Sequence, residues 1–439
     1  MSESPSVTPP APELTREDVK VILQAFFDKL DAGKAAGLNA CVHCGLCAES
    51  CHYALTHDEI EAVPGWKLDL AGRVFRRHFT LAGRLFPALT GAKTLDPGLV
   101  AEWVDSLFGR CTLCGRCSLN CSVGIQIPAI VRAARGALAA RGLVPSDLQS
   151  TVDLAVNVGN NMGITREEWI ETVEWLEEEL RGESGDPGAR IPFDAEGARV
   201  LYTVNPREPK FFPLSLLAAA RIFHAAGENW TLSRDYYDVT NYGLFSGDDV
   251  AAGTISGHLA DTMRRLGAKV LVLGECGHGF AANRWEAPEW LRERYGFEVI
   301  SFVELLWDYL RDGKIRVDPS RVPQRVTLHD PCNLVRHGGV TEPQREVLRR
   351  AVADFVEMTP NRDQNFCCGG GGGQLAMSRF AKRRLKAGKV KADQIARTGA
   401  KIVAAPCHNC IDQLMDLNKE YKLGVTVKSL GEIVADALV

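Results

Sequence analysis

The sequence has no long hydrophobic run. Across 439 residues, no uninterrupted apolar stretch reaches about 18 residues, and the most apolar segment, residues 214–223, is interrupted by Arg221. We therefore expect this chain to contribute no transmembrane segment. A positively charged start followed by an apolar stretch and a cleavage site is also missing, so we do not expect a secretory signal peptide.

Neither sign of charge dominates the chain. It has 51 Lys and Arg residues against 55 Asp and Glu residues, a formal net charge of −4, which gives no indication of nucleic-acid binding. Apolar residues make up 46% of the sequence, enough to bury substantial cores, and the length favours two or three domains.

Cysteine, in contrast, is plentiful, and eight of the 14 cysteines fall into two copies of the spacing Cys-x2-Cys-x2-Cys-x3-Cys. This spacing is typical of [4Fe–4S] ligands in bacterial ferredoxins. The first three cysteines of a copy face one cluster, whereas the fourth points away and, in two-cluster proteins, ligates the other cluster. Zinc sites more often use pairs of cysteines, and a disulfide framework suits a short secreted chain. We therefore predict iron bound in two cubane [4Fe–4S] clusters, one on Cys41, Cys44, Cys47 and Cys121, the other on Cys111, Cys114, Cys117 and Cys51.

The surroundings of these motifs predict helices. The proline that usually follows the fourth cysteine is replaced by His52 in one copy and Ser122 in the other. The 59 residues between Cys51 and Cys111 carry apolar residues at spacings of three and four, which is the period of a helix. Arginines at 73, 76, 77, 84, 132 and 135 flank the motifs and are interpreted as a solvated helix face, or alternatively as a docking patch for an acidic redox partner.

We divide the chain into five predicted segments, three before residue 196 and two after it. Residues 1–14 are predicted to be a disordered tether, 15–181 an α-helical ferredoxin-like domain with an acidic helical connector, and 182–195 a linker rich in Gly and Pro. Thr15 and Asp18 form a predicted capping box at the start of the helical domain. Beyond the linker, short apolar strands alternate with helical stretches, which predicts an α/β fold. The predicted strands are 200–204, 270–273, 299–302, 326–329, 402–404 and 425–427.

The α/β part repeats itself. Residues 265–271 match 397–403, and residues 296–304 match 424–432, at an offset of about 130 residues. We therefore predict a duplicated module with copies at 196–320 and 321–439.

A second set of five cysteines belongs to the second copy alone. Each follows a predicted strand or opens a glycine-rich turn, so all five can meet at one end of a sheet, where α/β proteins hold ligands. The adjacent pair favours a cluster with a bridging sulfur, and five thiolates exceed the four ligands of one cubane. These five cysteines are Cys332, Cys367, Cys368, Cys407 and Cys410.

The pattern Cys332-x34-Cys367-Cys368-x38-Cys407-x2-Cys410 resembles the CCG motif of the heterodisulfide reductase family. With the two-cluster domain in front, nearly the whole chain is similar to the fused HdrD/DsrK-type subunit. The segments around Asn205, Asp238 and Gly274 most resemble the cytoplasmic iron–sulfur subunits of Tmc/Hmc-type transmembrane redox complexes of sulfate reducers. The resemblance implies that the five cysteines bind a noncubane [4Fe–4S] cluster at which disulfide chemistry occurs.

The first copy departs from that motif. Pro206-Arg207 stands where Cys332 is expected, and of the other cysteines only Cys276 remains, opposite Cys407. A second noncubane cluster is therefore not expected, and Cys276 is either an extra ligand, a redox-active thiol or an inert buried cysteine.

Three histidines, at 278, 329 and 408, lie beside motif cysteines, and each could protonate a leaving thiolate or donate a hydrogen bond to sulfur. His408 is our candidate catalytic histidine.

The function that follows is that of an oxidoreductase subunit in sulfate-respiration-type electron transport. Its partners would be a membrane-integral quinone- or haem-binding subunit and a cytochrome of the same complex, with a small disulfide-carrying protein as a further candidate. Metal-type cysteines and the missing signal peptide predict a cytoplasmic protein, peripheral to the membrane through its partners. The alternative is the electron-accepting subunit of a glycolate, lactate or glycerol-3-phosphate dehydrogenase, a relay without chemistry of its own.

Overall fold

A computed structural model describes residues 14–439 of the chain. The predicted tether at 1–14 lies outside the described residues, apart from Leu14. No helix within the described range is both long and apolar enough to cross a membrane.

Helices dominate the described chain, and all eight strands lie after residue 199. The first eleven helices are α1 (Arg16–Asp28), α2 (Ala32–Ala40), α3 (Leu46–Glu49), α4 (Pro64–Phe79), α5 (Leu81–Leu85), α6 (Pro87–Thr90), α7 (Pro97–Trp103), α8 (Arg116–Leu119), α9 (Ile127–Ala139), α10 (Ser146–Val158) and α11 (Arg166–Ser184). The next twelve are α12 (Arg207–Phe211), α13 (Pro213–Ala225), α14 (Gly243–Ser246), α15 (Asp249–Leu266), α16 (Gly277–Ala281), α17 (Ala287–Leu291), α18 (Phe302–Arg311), α19 (Cys332–Val335), α20 (Pro343–Ala351), α21 (Ala381–Thr398), α22 (His408–Tyr421) and α23 (Leu430–Ala437). The strands are β1 (Val200–Thr203), β2 (Trp230–Thr231), β3 (Val270–Leu273), β4 (Glu298–Ser301), β5 (Arg325–Leu328), β6 (Asp354–Val356), β7 (Ile402–Ala404) and β8 (Thr426–Lys428).

The chain forms two compact units, each of them built from three separate segments of the sequence. The first unit contains the chain up to Leu148, together with Phe245–Asp248 and Gly372–Ala387. The second contains Gln149–Leu244, Asp249–Gly371 and Gly388–Val439. The sequence placed α11 in the first domain, whereas the structure groups it with the second unit. The reason is that its apolar side chains, such as Trp169 and Leu176, are part of the same buried cluster as strands β1 and β3.

The first unit is helical, as the sequence predicts. The capping box forms at the start of α1, where the Thr15 amide donates to the Asp18 carboxylate and the Asp18 amide donates to the Thr15 hydroxyl. Phe26 of the same helix is fully buried and packs edge-on against Trp103 of α7, with ring centroids 5.3 Å apart.

One expectation about the arginines is wrong. Arg135 in α9 is not on a solvated face but fully buried, and its guanidinium donates to backbone carbonyls at Leu107, Cys111, Phe245 and Gly372. Arginines are rarely buried without such partners, so the spacing of the positive charges alone did not reveal this one.

The second unit holds two parallel four-stranded sheets with the same strand order. In the first sheet the order is β2-β1-β3-β4, and in the second it is β6-β5-β7-β8. Equivalent registers pair Val200 with Val270 and Val326 with Ile402. Helices cover the strands and form one hydrophobic cluster that includes residues of both sheets.

All six predicted strands are present, within one or two residues at their ends. Two strands were not predicted. β2 has two residues, and β6 has three residues that are each only partly buried, so neither has a periodic apolar pattern long enough to recognise.

Candidate iron–sulfur sites

The first cysteine site is a cavity of about 320 Å³ in the helical unit. Its lining includes the thiols of Cys41, Cys44, Cys47 and Cys121. The Cys44 thiol lies 3.7 Å from the Ser122 hydroxyl, which joins the loop of the first motif to the end of the second. Cys44 is exposed, so this site reaches the surface.

The second cysteine site contains the remaining four cysteines of the two motifs. One cavity is lined by Cys51 together with Cys111, Cys114 and Cys117. Each cavity thus receives three cysteines from one motif and the fourth from the other, the same grouping that the spacing predicts. Four thiols around one cavity match the donor set of a [4Fe–4S] cubane, so the residues present fit that group.

The two cysteine loops share an unusual backbone turn. His43 and Gly45 in the first motif have φ of 54° and 84°, and Leu113 and Gly115 in the second have φ of 56° and 82°. A left-handed residue two positions after the first cysteine, and another after the second cysteine, turns the chain around one point. This repeated turn brings the first three thiols of each motif to one cavity.

A buried lysine lies beside the second cysteine site. Lys67 is 2% exposed, and its ammonium donates to the Ala62 carbonyl at 2.6 Å. Burial raises the pKa of the Cys51 thiol to about 11, and the nearby Lys67 opposes this rise. A cation at this position offsets the negative charge of thiolate ligands.

The third site is formed by the five cysteines of the CCG motif, all of them buried. The Cys332 and Cys367 sulfurs are 3.9 Å apart, and the Cys368 thiol interacts with those of Cys367 and Cys410. Cys410 also interacts with Cys407, so the five thiols form one connected set. Adjacent thiols in a set of five exceed what one cubane needs and suit a larger, noncubane arrangement.

Parallel strands place these thiols. Cys332 begins α19 just after β5, and Cys407 caps α22 just after β7, so both stand at the carboxyl ends of neighbouring strands. Cys367 and Cys368 enter from a loop that turns at Gly369, where φ is 104°. The amides of Gly369 and Gly370 lie 3.4 and 3.5 Å from the Cys367 and Cys368 sulfurs, positions from which N–H groups stabilise thiolates.

His329 lies beside this site. One of its ring nitrogens lies within 4.8 Å of the Cys368 and Cys410 sulfurs, and the side chain is fully buried. Neither ring nitrogen has a hydrogen-bond partner among the described residues. Burial lowers the pKa of His329 well below its ordinary value, so the ring is neutral and carries one N–H.

His408 points elsewhere. Its Nε2 lies 3.4 Å from the Glu208 carboxylate, and both side chains are at most 2% exposed. Burial lowers the pKa of His408 to about 3 and raises that of Glu208 well above its ordinary value, so the pair is a neutral imidazole and a carboxylic acid. The structure therefore brings His329, rather than our candidate His408, close to the motif thiols.

Cys276 follows β3 of the first sheet as Cys407 follows β7 of the second. It caps α16 as Cys407 caps α22, and it is buried with its sulfur 3.3 Å from Nδ1 of His278. The Gly277 amide donates to the Cys407 sulfur, so Cys276 and the third site are neighbours.

Sequence analysis missed two charged groups at the third site. Lys391 is fully buried and donates to the Asn365 amide oxygen at 2.5 Å. It lies close enough to Cys367 and Cys368 for their negative charge to raise its pKa, which burial lowers. It belongs to the basic helix α21, which looks like a solvated face. The second group is the pair of Asp330 and Arg345, both at most 1% exposed, with two hydrogen bonds of 2.7 to 2.8 Å. Asp330 stands two residues before Cys332, and that proximity was the available signal.

Comparison with known proteins assigns the two motif regions. Residues 37–125 match the family model of the 4Fe-4S dicluster domain, and residues 326–415 match that of the cysteine-rich CCG domain. A 4Fe-4S dicluster domain followed by a CCG domain is the pair that the resemblance to the heterodisulfide reductase family predicts.

This chain aligns over nearly its whole length with proteins named as heterodisulfide reductase or Hdr-like subunits. It is 28% identical to an Hdr-like menaquinol oxidoreductase iron-sulfur subunit of Archaeoglobus profundus, covering 96% of this chain and 83% of the relative. It is also 28% identical to a subunit of the dihydromethanophenazine:CoB–CoM heterodisulfide reductase of Methanosarcina barkeri, covering 93% of this chain and 96% of the relative. An EtfAB:quinone oxidoreductase of Syntrophomonas wolfei is 22% identical over 86% of this chain and 55% of the relative. The predicted resemblance to the heterodisulfide reductase family and the predicted role of an iron–sulfur electron-transfer subunit of an oxidoreductase are thereby confirmed.

Proposed function

We propose that this subunit passes electrons between a membrane partner and a disulfide–dithiol couple at a noncubane [4Fe–4S] site. The grouping of its thiols carries the proposal: two separate sets of four and one connected set of five. Two sets of four suit one-electron relays. A set of five around an adjacent pair suits a site at which sulfur chemistry takes place.

Ligand assignments follow the same grouping. Cys41, Cys44, Cys47 and Cys121 would hold the first cubane, and Cys51, Cys111, Cys114 and Cys117 the second. The noncubane cluster would be held by Cys332, Cys367, Cys368, Cys407 and Cys410. When bound there, such a cluster supplies electrons one at a time to a sulfur species.

The proposed reaction needs two electrons and two protons. A disulfide accepts both, its S–S bond breaks, and two thiols form; the reverse reaction returns them. The neutral ring of His329 can hold one proton near the sulfurs and donate a hydrogen bond to a thiolate. Lys391 keeps a buried positive charge near Cys367 and Cys368, which favours the reduced, more negative state.

We also propose that the α/β unit arose by duplication. The identical strand orders and the equivalent caps at Cys276 and Cys407 support copies at 196–320 and 321–439. In the first copy, Arg207 pairs with Asp412 and the neighbouring Asn205 reaches Asn409, so polar contacts replace ligands there. These contacts support a single noncubane site.

The membrane partner is inferred from the relatives. One of them is named a menaquinol oxidoreductase subunit and another a quinone oxidoreductase, which supports a quinone-binding membrane subunit as a partner. A haem-binding membrane subunit and a cytochrome of the same complex are further proposed partners. A heterodisulfide reductase relative supports a disulfide as the second substrate. We place the subunit on the cytoplasmic face of the membrane, held there by its partners. The dehydrogenase-relay alternative would leave the five-cysteine site without a reaction.

The decisive experiment combines iron analysis with spectroscopy of the anaerobically purified full chain. Three four-iron clusters give about twelve irons. Oxidation should produce a paramagnetic signal distinct from both cubanes, and Cys368→Ser should abolish this signal and disulfide turnover while both cubanes stay reducible. The matched control is Cys121→Ser, which should damage the cluster held by Cys41, Cys44 and Cys47 and leave the oxidised-state signal intact.

About eight irons in the wild-type protein, or an oxidised-state spectrum that Cys368→Ser does not change, would refute the proposal and favour the relay. Loss of the Cys111 cluster alone in Cys121→Ser would refute the crossed ligand assignment.

A further inference from the structure

The end of α4 and the two short helices after it expose an unusual number of apolar side chains. We call these five residues, all within eleven positions, the 79–89 tip. Large apolar side chains exposed singly are common, but a contiguous group marks an interaction surface. Their exposed fractions are 54% for Phe79, 77% for Leu81, 68% for Leu85, 57% for Phe86 and 86% for Leu89.

The tip is a built structure rather than a loose loop. The Thr80 hydroxyl accepts a hydrogen bond from the Gly83 amide at 3.0 Å and donates to the Arg76 carbonyl at 2.9 Å. A Cβ at Gly83 would stand 2.2 Å from that carbonyl oxygen, so α5 packs directly against the last turn of α4. The backbone of this segment is therefore ordered in a way that leaves the five apolar side chains exposed.

Positive charge surrounds the tip. Residues 70–95 contain five Arg and Lys residues and no Asp or Glu. Arg73 and Arg76 share the single carboxylate of Asp69. The guanidiniums of Arg77 and Arg84 donate to the backbone carbonyls of residues 84 and 78, and neither makes an ion pair with the described part of the chain.

We infer that the 79–89 tip binds the surface of an anionic lipid bilayer. Short helices with exposed Phe and Leu beside Arg and Lys insert their apolar side chains at the boundary between headgroups and acyl chains, while the cations contact anionic headgroups. The acid-free segment and the two guanidiniums without ion pairs provide the complementary charge for such headgroups.

Helix α4 connects this surface to the first cubane site. Near its start, a Cβ at Gly65 would lie 3.5 Å from the Cys47 sulfur, and its last residue is Phe79. Fourteen residues at about 1.5 Å each separate these ends by ~21 Å. Lipid binding at the tip would therefore hold the first cubane near the membrane, where the proposed partner exchanges electrons.

The inference rests on the membrane association in the proposed function, but its test needs no electron donor, so the two can fail separately. Anaerobically purified full-chain protein is floated with vesicles of phosphatidylcholine containing about 30% phosphatidylglycerol, and with pure phosphatidylcholine vesicles. We expect at least about tenfold tighter binding to the anionic vesicles, weakened by added salt.

The test variant is the double substitution Leu85→Ser/Leu89→Ser, which should weaken binding by about 10- to 100-fold, because each leucine loses its apolar contact with lipid. The matched control is Leu214→Ser/Val250→Ser, whose side chains are 59% and 81% exposed outside the tip. Iron content and cubane reducibility, equal to wild type in both variants, show that the fold is intact.

Wild-type protein that stays off anionic vesicles would overturn the inference, as would binding equal to wild type in Leu85→Ser/Leu89→Ser. Attachment to a membrane-integral protein in detergent, without attachment to vesicles, would also overturn it and make the tip a protein interface.

Discussion

Arg135→Met tests how the helical unit supports its second cysteine site, the proposed second cubane site. The Arg135 side chain is fully buried, and its Nη2 donates to the Cys111 carbonyl at 2.7 Å and to the Leu107 carbonyl at 2.8 Å. Its Nη1 donates to the Phe245 carbonyl at 2.7 Å and to the Gly372 carbonyl at 2.9 Å. One guanidinium therefore fixes the first ligand of the second motif together with two segments that return to this unit from far along the chain.

The magnitude follows from the four carbonyls. Burial lowers the pKa of Arg135 to about 10, so the group remains a cation at neutral pH. A buried acceptor that loses its partner costs roughly 1–3 kcal/mol, so at the low end four acceptors cost ~4 kcal/mol. Methionine fills much of the volume and carries no charge to desolvate, which returns part of this cost. We expect Arg135→Met to lower the free energy of unfolding by about 3 kcal/mol, a large share of the roughly 5–15 kcal/mol that is typical of a domain.

The assay is the thermal midpoint of the anaerobic holoprotein, read together with the spectrum of each cubane. Arg135→Met should lower the thermal midpoint and preferentially lose the cluster on Cys51, Cys111, Cys114 and Cys117. Arg135→Lys should have a smaller effect on the midpoint and on the occupancy of that cluster. Arg132→Met, on the same helix and only partly buried, is the control. A normal midpoint with both cubanes intact in Arg135→Met would show that the carbonyls find other donors and that our account is wrong.

Three further predictions concern the second unit. Lys391→Gln should lower the reduction potential of the third cluster by about 50–100 mV in a redox titration, because a buried cation near the thiolates is lost, and exposed Lys389→Gln should not. Arg345→Met leaves the Asp330 carboxylate buried and unpaired at a cost of roughly 3–5 kcal/mol, so iron content should fall from about twelve to about eight; retention of all irons would contradict the role of this pair. Burial raises the pKa of Glu275 to about 7, so the folded state favours the protonated form and wild-type stability should fall as pH rises from about 4.5 to 7. Glu275→Gln should make the thermal midpoint fall less steeply over this pH range. An unchanged pH dependence would contradict the raised pKa of Glu275.

Spacing predicted which cysteines lie together, because metal ligation imposes local geometry. In each motif the first three cysteines lie around one turn and the fourth follows a short helix, and the cavities at Cys41 and Cys111 are lined by the predicted sets of four. Six of the eight strands were also predictable, since most of them are short runs of buried apolar residues between turns.

Groups that act through burial were not predictable in this way. Lys391, Lys67 and Arg135 are buried cations in helices that also carry more exposed positive charges. Helical periodicity alone does not identify which cation is buried, because the partner is a backbone or amide carbonyl outside the helix. The same limit applied to the histidines: His408 adjoins a motif cysteine in sequence, but its ring pairs with Glu208 from the first copy.

Hydrogen bonds link the segment after β3 to the elements that follow β7 and β8. The Glu275 carboxylate accepts hydrogen bonds from the Leu430 and Gly431 amides at 2.7 and 3.2 Å, and its carbonyl accepts from the His408 amide at 2.8 Å. The segment before Cys276 therefore fixes the turn that carries Cys407. The segment after β3 thus holds the start of α22 in place, and its Gly277 amide donates to the Cys407 sulfur, so it supports the five-cysteine site although it carries none of those five cysteines.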